Sequence, residues 1–247
     1  SLVNKKYHNF KDLNFKQNDF INYKVIKHQV IKENFFNNTS IKENHRFDFL
    51  FFYQKKGGKK GINLSKNALF KWFKTYKYYH NFPWSEDYPS VRFINILYNY
   101  DYICSNSNLN EIKHINVILN FHIKRILFEV NRKKPNTMSS SECLALVLID
   151  FVKGNFSKKT MVKILQLIDS HTDENFMHKS YNIISHAKFL NNMNEIKNIL
   201  LFFNLKIPES LNNKVLAMTS LLRAYRHHDY TLPLFNGCNN NHINQID

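Results

Sequence analysis

Five glycines and five prolines are all that punctuate 247 residues. That scarcity constrains the fold more than any single motif. A β-sandwich or barrel of this length needs a turn every ~8–12 residues and draws on both residue types to make it; a chain of helices does not. The apolar periodicity agrees. "SSECLALVLIDFVKGN" (139–154) opens with the capping-box pair Ser139 and Glu142 and closes on Gly154, a natural residue just past a helix end. Ser157 is then an N-cap for "SKKTMVKILQLIDSH". "HKSYNIISHAKFLNN", "MNEIKNILLFFN" and "PESLNNKVLAMTSLLRAYRHH" read as three further helices with short turns between them, followed by "YTLPLF".

The N-terminal half is less regular. Residues 1–50 carry a loose helical pattern through Phe20, Tyr23, Val30 and Ile31, broken by "NNTSIKEN", and are expected to be an extension wrapped on a partner. "FFYQKKGGKKG" reads as a flexible basic loop. Ser65 is the expected N-cap of a helix with Leu69, Trp72, Phe73 and Tyr76 at helical spacing. After the prolines of "FPWSEDYPS", where Glu86 and Asp87 suit a first helical turn, come "SVRFINILYNY" and "LNEIKHINVILNFHIKRILFEV". The apolar positions of the latter are Ile115, Ile118, Phe121, Ile123 and Ile126, and "NRKKPNT" follows as a basic loop.

The aromatics at 151, 189 and 225 each precede a polar break and stand 38 and 36 residues apart, and Asn-Glu-Ile-Lys occurs at both 110–113 and 194–197. A period in the upper thirties built from two helices is the mark of an α-solenoid. The expected fold is therefore all-α: a solenoid-like array of helical hairpins with an extended basic N-terminal segment. The expected divisions are 1–64 (extension and basic loop), 65–138 (helices with a basic–aromatic patch), 139–238 (hairpin repeats) and 239–247 (Asn-rich tail).

A net charge of +16 and a pI near 9.6 call for an anionic partner, nucleic acid first and an anionic membrane surface second. Between Asp48 and Glu86 stand Lys55, Lys56, Lys59, Lys60, Lys66, Lys71, Lys74 and Lys77 with no acid among them. Lysines neutralise phosphates while an exposed ring, Trp72 or Tyr78 here, stacks on an unpaired base. Eight such contacts to single-stranded RNA would give a log–log salt slope of roughly −6. The same pattern also suits an amphipathic helix with Trp72, Phe73 and Tyr76 in its core. Arg132, Lys133 and Lys134, and Arg223 with Arg226, are further candidate contacts.

Other chemistry finds little purchase. "KKGGKKG" lacks the GxxxxGK[ST] spacing of a phosphate loop. No CxxC or HExxH occurs, His171 and His178 are too far apart for one helical face, and Cys238 with His242 supplies two ligands only. His227-His228-Asp229 has no nominated nucleophile and suits a helix C-terminus. No metal, cofactor or catalytic residue is expected. Cys104, Cys143 and Cys238, odd in number and far apart, suit a reducing compartment rather than a disulfide framework. No run of about eighteen apolar residues is present, so no membrane span is expected. The chain starts at Ser1 without a Met, as a processed product or part of something longer would.

Leu221-Leu222, Ala224-Tyr225 and Leu234-Phe235 resemble the paired-helix units of organellar helical-repeat RNA-binding proteins: the heptatricopeptide repeats of RAP-domain and FAST-kinase-like proteins. The resemblance covers roughly residues 139–238, and the copies ending at Phe151 and Phe189 keep the aromatic without the preceding Ala. It implies RNA binding inside mitochondria, with rRNA the expected partner, as a non-enzymatic component of the mitochondrial ribosome or another large ribonucleoprotein. The alternative is a structural subunit of a membrane-associated or respiratory assembly, its aromatics buried in protein interfaces.

Overall fold

The computed structural model describes residues 42–78, 82–228, 232, 233 and 236. The expected extension up to residue 41 lies outside the described residues, as do Asp229, Leu234, Phe235, Cys238 and the Asn-rich tail. Among the described residues there are nine α-helices, two short 3-10 segments and no strand beyond an isolated bridge between Thr172 and His178. The all-α expectation holds. The chain forms two compact units, divided between Arg132 and Lys133.

The first unit contains the 3-10 segment Lys42–Arg46 and helices α1 (Phe49–Lys56), α2 (Gly58–Tyr76), α3 (Tyr88–Tyr98), α4 (Tyr100–Cys104) and α5 (Leu109–Arg132). Its centre is α3, in which every residue from Tyr88 to Leu97 is buried. A short helix covered all round must place its polar groups deliberately. Here they form one stripe facing residues 45–48. Arg92 donates to the carbonyl of His45 (2.8 Å), and Asn95 to the carbonyl of Arg46 and to Asp48 Oδ1 (both 2.8 Å). This grip holds Phe47 at φ 67°, a left-handed conformation costly for an aromatic residue. The Phe47 ring offsets that cost by lying wholly buried, edge-on to Trp72 at 5.3 Å.

Residues 55–61 are not a loop. α1 runs to Lys56, α2 begins at Gly58, and Gly57 between them adopts φ 66°, a conformation without penalty only for glycine. Four positions later, a Cβ on Gly61 would collide with the Tyr102 hydroxyl, which itself donates to the Tyr53 carbonyl at 2.7 Å. The glycines therefore read as a hinge and a close approach between α1, α2 and α4. It follows that Ser65 is not an N-cap: it lies inside α2, buried, with its hydroxyl donating to the Gly61 carbonyl at 3.0 Å. The expected division after residue 64 falls within this helix.

The second unit contains the 3-10 segment Pro135–Thr137 and helices α6 (Ser140–Lys153), α7 (Lys158–His171), α8 (Ile183–Phe202) and α9 (Glu209–Tyr225). The cap predictions hold. Ser139 and Glu142 form a reciprocal capping box, Gly154 is left-handed at the end of α6, and Ser157 caps α7. α6 is the core helix, buried from Glu142 to Ile149. It packs against α7 and α8, while α9 packs against α8 and α7.

The break expected between residues 190 and 193 does not exist. α8 runs through it, because Met193, Ile196, Ile199 and Leu200 continue its buried face and Asn192 donates to Ser140 Oγ at 2.8 Å. Phe189 is therefore in the second turn of a helix, whereas Phe151 and Tyr225 are in last turns, so the three aromatics are not equivalent positions of one repeat. Asn-Glu-Ile-Lys likewise opens α5 but sits in the middle of α8.

Candidate nucleic-acid interface

The lysines of 55–77 decorate consecutive helices. Along α2 the exposed positions after Gly58 are Lys59, Lys60, Asn63, Asn67, Lys71, Lys74 and Thr75. From residue 60 to 74 their spacing follows the helical repeat, placing them on one side of a rod about 20 Å long. The opposite side, with Ile62, Leu69, Trp72 and Phe73, is buried. Lys55 and Lys56 are exposed at the end of α1, and half-buried Lys77 lies 4.9 Å over the ring of Tyr78, which is 72% exposed.

Two of the expected contacts are withdrawn from this face. Lys66 is buried, and its Nζ donates to the Asn106 carbonyl (3.0 Å) and to both oxygens of Glu111 (3.1 and 3.0 Å). Glu111 also accepts from the Asn108 N–H, and this bond followed by Lys66 holds its carboxyl below the ordinary range. Lys66 therefore joins α2 to the start of α5. Trp72 is wholly buried, so it offers no face to a base.

Trp72 belongs instead to a core built round a buried cation. Arg92 Cζ lies 4.1 Å from the centre of Trp72 and 5.0 Å from that of Trp84. Its remaining donors reach the Pro83 carbonyl (2.7 Å) and His122 Nε2 (3.0 Å). Among the described residues no carboxylate pairs with it. His122 can accept because its Nδ1 bonds the Ile118 carbonyl at 2.9 Å, and burial followed by Arg92 drives its pKa down to about 3. His45, whose Nδ1 accepts from Trp72 Nε1 at 3.1 Å, falls to about 4 for the same two reasons. Neutral imidazoles and indole faces thus replace the usual carboxylate.

The remaining candidates scatter. Arg132 ends α5, exposed, with Cζ 3.7 Å from the centre of Phe128. Lys133 is engaged by the buried Glu142 at 2.5 Å and supports the capping box rather than facing a ligand. Lys134 is exposed before the 3-10 segment, and Arg223 and Arg226 are exposed at the end of α9 beside exposed His227 and His228.

His171 and His178 share no helical face, yet they meet in three dimensions. The turn after α7 brings their rings to 5.9 Å, and the His178 N–H donates to His186 Nδ1 at 3.2 Å. Burial lowers all three pKa values, that of His178 to about 4. Among the described residues no group of three His, Cys, Asp or Glu is placed to hold a metal ion. Burial also pushes the thiols up, Cys104 to about 11 and Cys143 to about 12, so neither is a thiolate at neutral pH.

The described residues thus define an all-helical protein with a lysine-rich helical face. No family model, no curated protein and no solved structure matches the chain.

Proposed function

We propose that the protein is a non-enzymatic RNA-binding component of a ribonucleoprotein assembly, with α2 as its principal phosphate-contacting element. The observation that carries this reading is the exposed lysine face drawn from a stretch of sequence without acids. Lys55, Lys56, Lys59, Lys60, Lys71 and Lys74 are exposed, and no Asp or Glu interrupts the chain from residue 49 to 85. Such a face repels itself and gains from a polyanion that releases condensed counterions. The mitochondrial ribosome is the setting implied by the resemblance to organellar repeat proteins.

A solenoid-like arrangement of hairpins belongs to the same reading. In the second unit α6 packs on α7 and α8 on α9, while α6 also meets α8 and α7 meets α9. Two stacked helical pairs would have these contacts. Their first helices begin 43 residues apart, at Ser140 and Ile183.

A salt titration of RNA binding tests the function. With Lys77 included, seven lysines predict a log–log slope of roughly −5 on single-stranded RNA, and replacing Lys59, Lys60, Lys71 and Lys74 by Gln removes about 3 of it. A flat slope for the parent chain sinks the proposal. The second reading, a subunit of a membrane-associated or respiratory assembly held by protein contacts, is favoured by exposed Leu201, Phe202 and Leu216. None of the described helices is long and apolar enough to cross a membrane.

A further inference from the structure

α5 leaves uncovered a row that its composition does not explain as solvent-facing surface. His114, Phe121 and Phe128 recur every seven residues and so line one side of the helix at intervals of about 10 Å. All three are exposed, Phe121 by 43% and Phe128 by 47%, and Val117 between them by 53%. Lys113, Lys124 and Arg132 are exposed on the same side. The acids of α5 are already neutralised, Glu111 by Lys66 and Glu129 by Arg125 at 2.5 Å.

This row adjoins the lysine face. Successive contacts between α2 and α5 are Lys66 with Glu111, Phe70 stacked on His114 at 4.5 Å, and Phe73 edge-on to Phe121 at 5.5 Å. The residue numbers rise together, so the two helices run parallel. Lysines 71 and 74 thus stand on one side of the ring row, and lysines 113 and 124 on the other.

A second helix laid along α5 is the competing occupant, since positions 110, 114, 117, 121, 124, 128 and 131 have the 4–3 spacing of a coiled-coil seam. Four of those seven are Asn110, His114, Lys124 and Asn131. A helical partner would have to desolvate them, whereas a polynucleotide needs polar groups between its stacking planes.

We propose that the joined faces of α2 and α5 bind single-stranded RNA, with bases stacked on Phe121 and Phe128 and phosphates on Lys71, Lys74, Lys113 and Lys124. Arg132, lying over Phe128, adds a charged stacking plane. This rests on the RNA-binding reading above and adds the strand class and the base platform. Stacking tolerates any base, so the preference is for unpaired over paired RNA rather than for a sequence.

The test compares a fluorescent oligouridylate, a duplex of the same length and an oligomer with the same phosphates but abasic sugars. Phe121→Ala with Phe128→Ala is expected to weaken oligouridylate binding about ten-fold or more, leaving duplex binding and the salt slope unchanged. The abasic oligomer should bind the unaltered chain weaker by a similar factor, an arm that holds even if the ring variant is destabilised through Phe73. If the abasic oligomer and the ring variant both match the parent pair while the Lys→Gln variant flattens the salt slope, RNA binding stands and the stacking platform falls. If no RNA binds with a salt-dependent affinity, both fall.

Discussion

Both units pair basic groups with carboxylates, but the first also buries a cation, Arg92, that no described carboxylate pairs with. In the second unit Lys133 meets Glu142 and Lys214 meets Asp169, while Asp150 accepts from the Ser157 N–H and the Thr160 hydroxyl at the start of α7. In the first unit the innermost cation, Arg92, sits among indoles, imidazoles and carbonyls, and Lys59, Lys60, Lys71 and Lys74 of α2 are exposed with no acid beside them in sequence. Carboxylates compensate charge inside the second unit. In the first, aromatic faces and neutral histidines do so for Arg92, while Glu111 and Glu129 pair with Lys66 and Arg125.

The chain's two tryptophans, Trp72 and Trp84, both belong to the first unit and both touch Arg92. Indole fluorescence therefore follows that unit alone, while far-ultraviolet circular dichroism follows both. The largest expected effect is acid sensitivity. His45, His122, His171, His178 and His186 all have folded pKa values below 6.5. The unfolded chain takes up their protons near pH 6.5, whereas His45 and His178 resist until about 4 and His122 until about 3. Between those limits the unfolded state holds more protons, so stability is present at neutral pH and is lost as the pH falls. Urea midpoints from both probes should drop between pH 6.5 and about 4. A midpoint in fluorescence that ignores pH would break the account of the Arg92 core.

Arg92→Met comes next and separates the units. It leaves the carbonyls of His45 and Pro83 and the Nε2 of His122 without their donor, each an unpaired acceptor costing about 1–3 kcal/mol. The fluorescence transition should move to much lower urea, while the dichroism of the second unit persists. The smallest effect is Glu142→Ala, which removes half of the capping box and the partner of Lys133, for about 1–2 kcal/mol. It should shift the dichroism transition and leave the tryptophan transition in place.

Signals confined to a few neighbouring residues were legible. Ser139, Glu142, Gly154 and Ser157 act within one helical turn, and the structure puts each to the use its type suggests. The expectations that failed concern groups whose partners are distant in sequence. Asn191-Asn192 looks like a break until Asn192 meets Ser140. Lys66 looks like surface until Glu111, 45 residues away, meets it. Phe121 looks like core because its neighbours Ile115, Ile118 and Ile123 are, and nothing local shows that Phe73 and Trp84 cover only part of its ring.

Helical content, the caps of α6 and α7 and the acid-free run of lysines between residues 49 and 85 follow from the order of residues alone, because each depends on groups adjacent along the chain. Which lysines remain available, which rings face outward and how a buried arginine survives without an acid depend on which helices pack side by side. Many of those contacts join residues far apart in sequence, 27 positions between Trp72 and His45 and 47 between Arg92 and His45, and the folded chain alone brings them together.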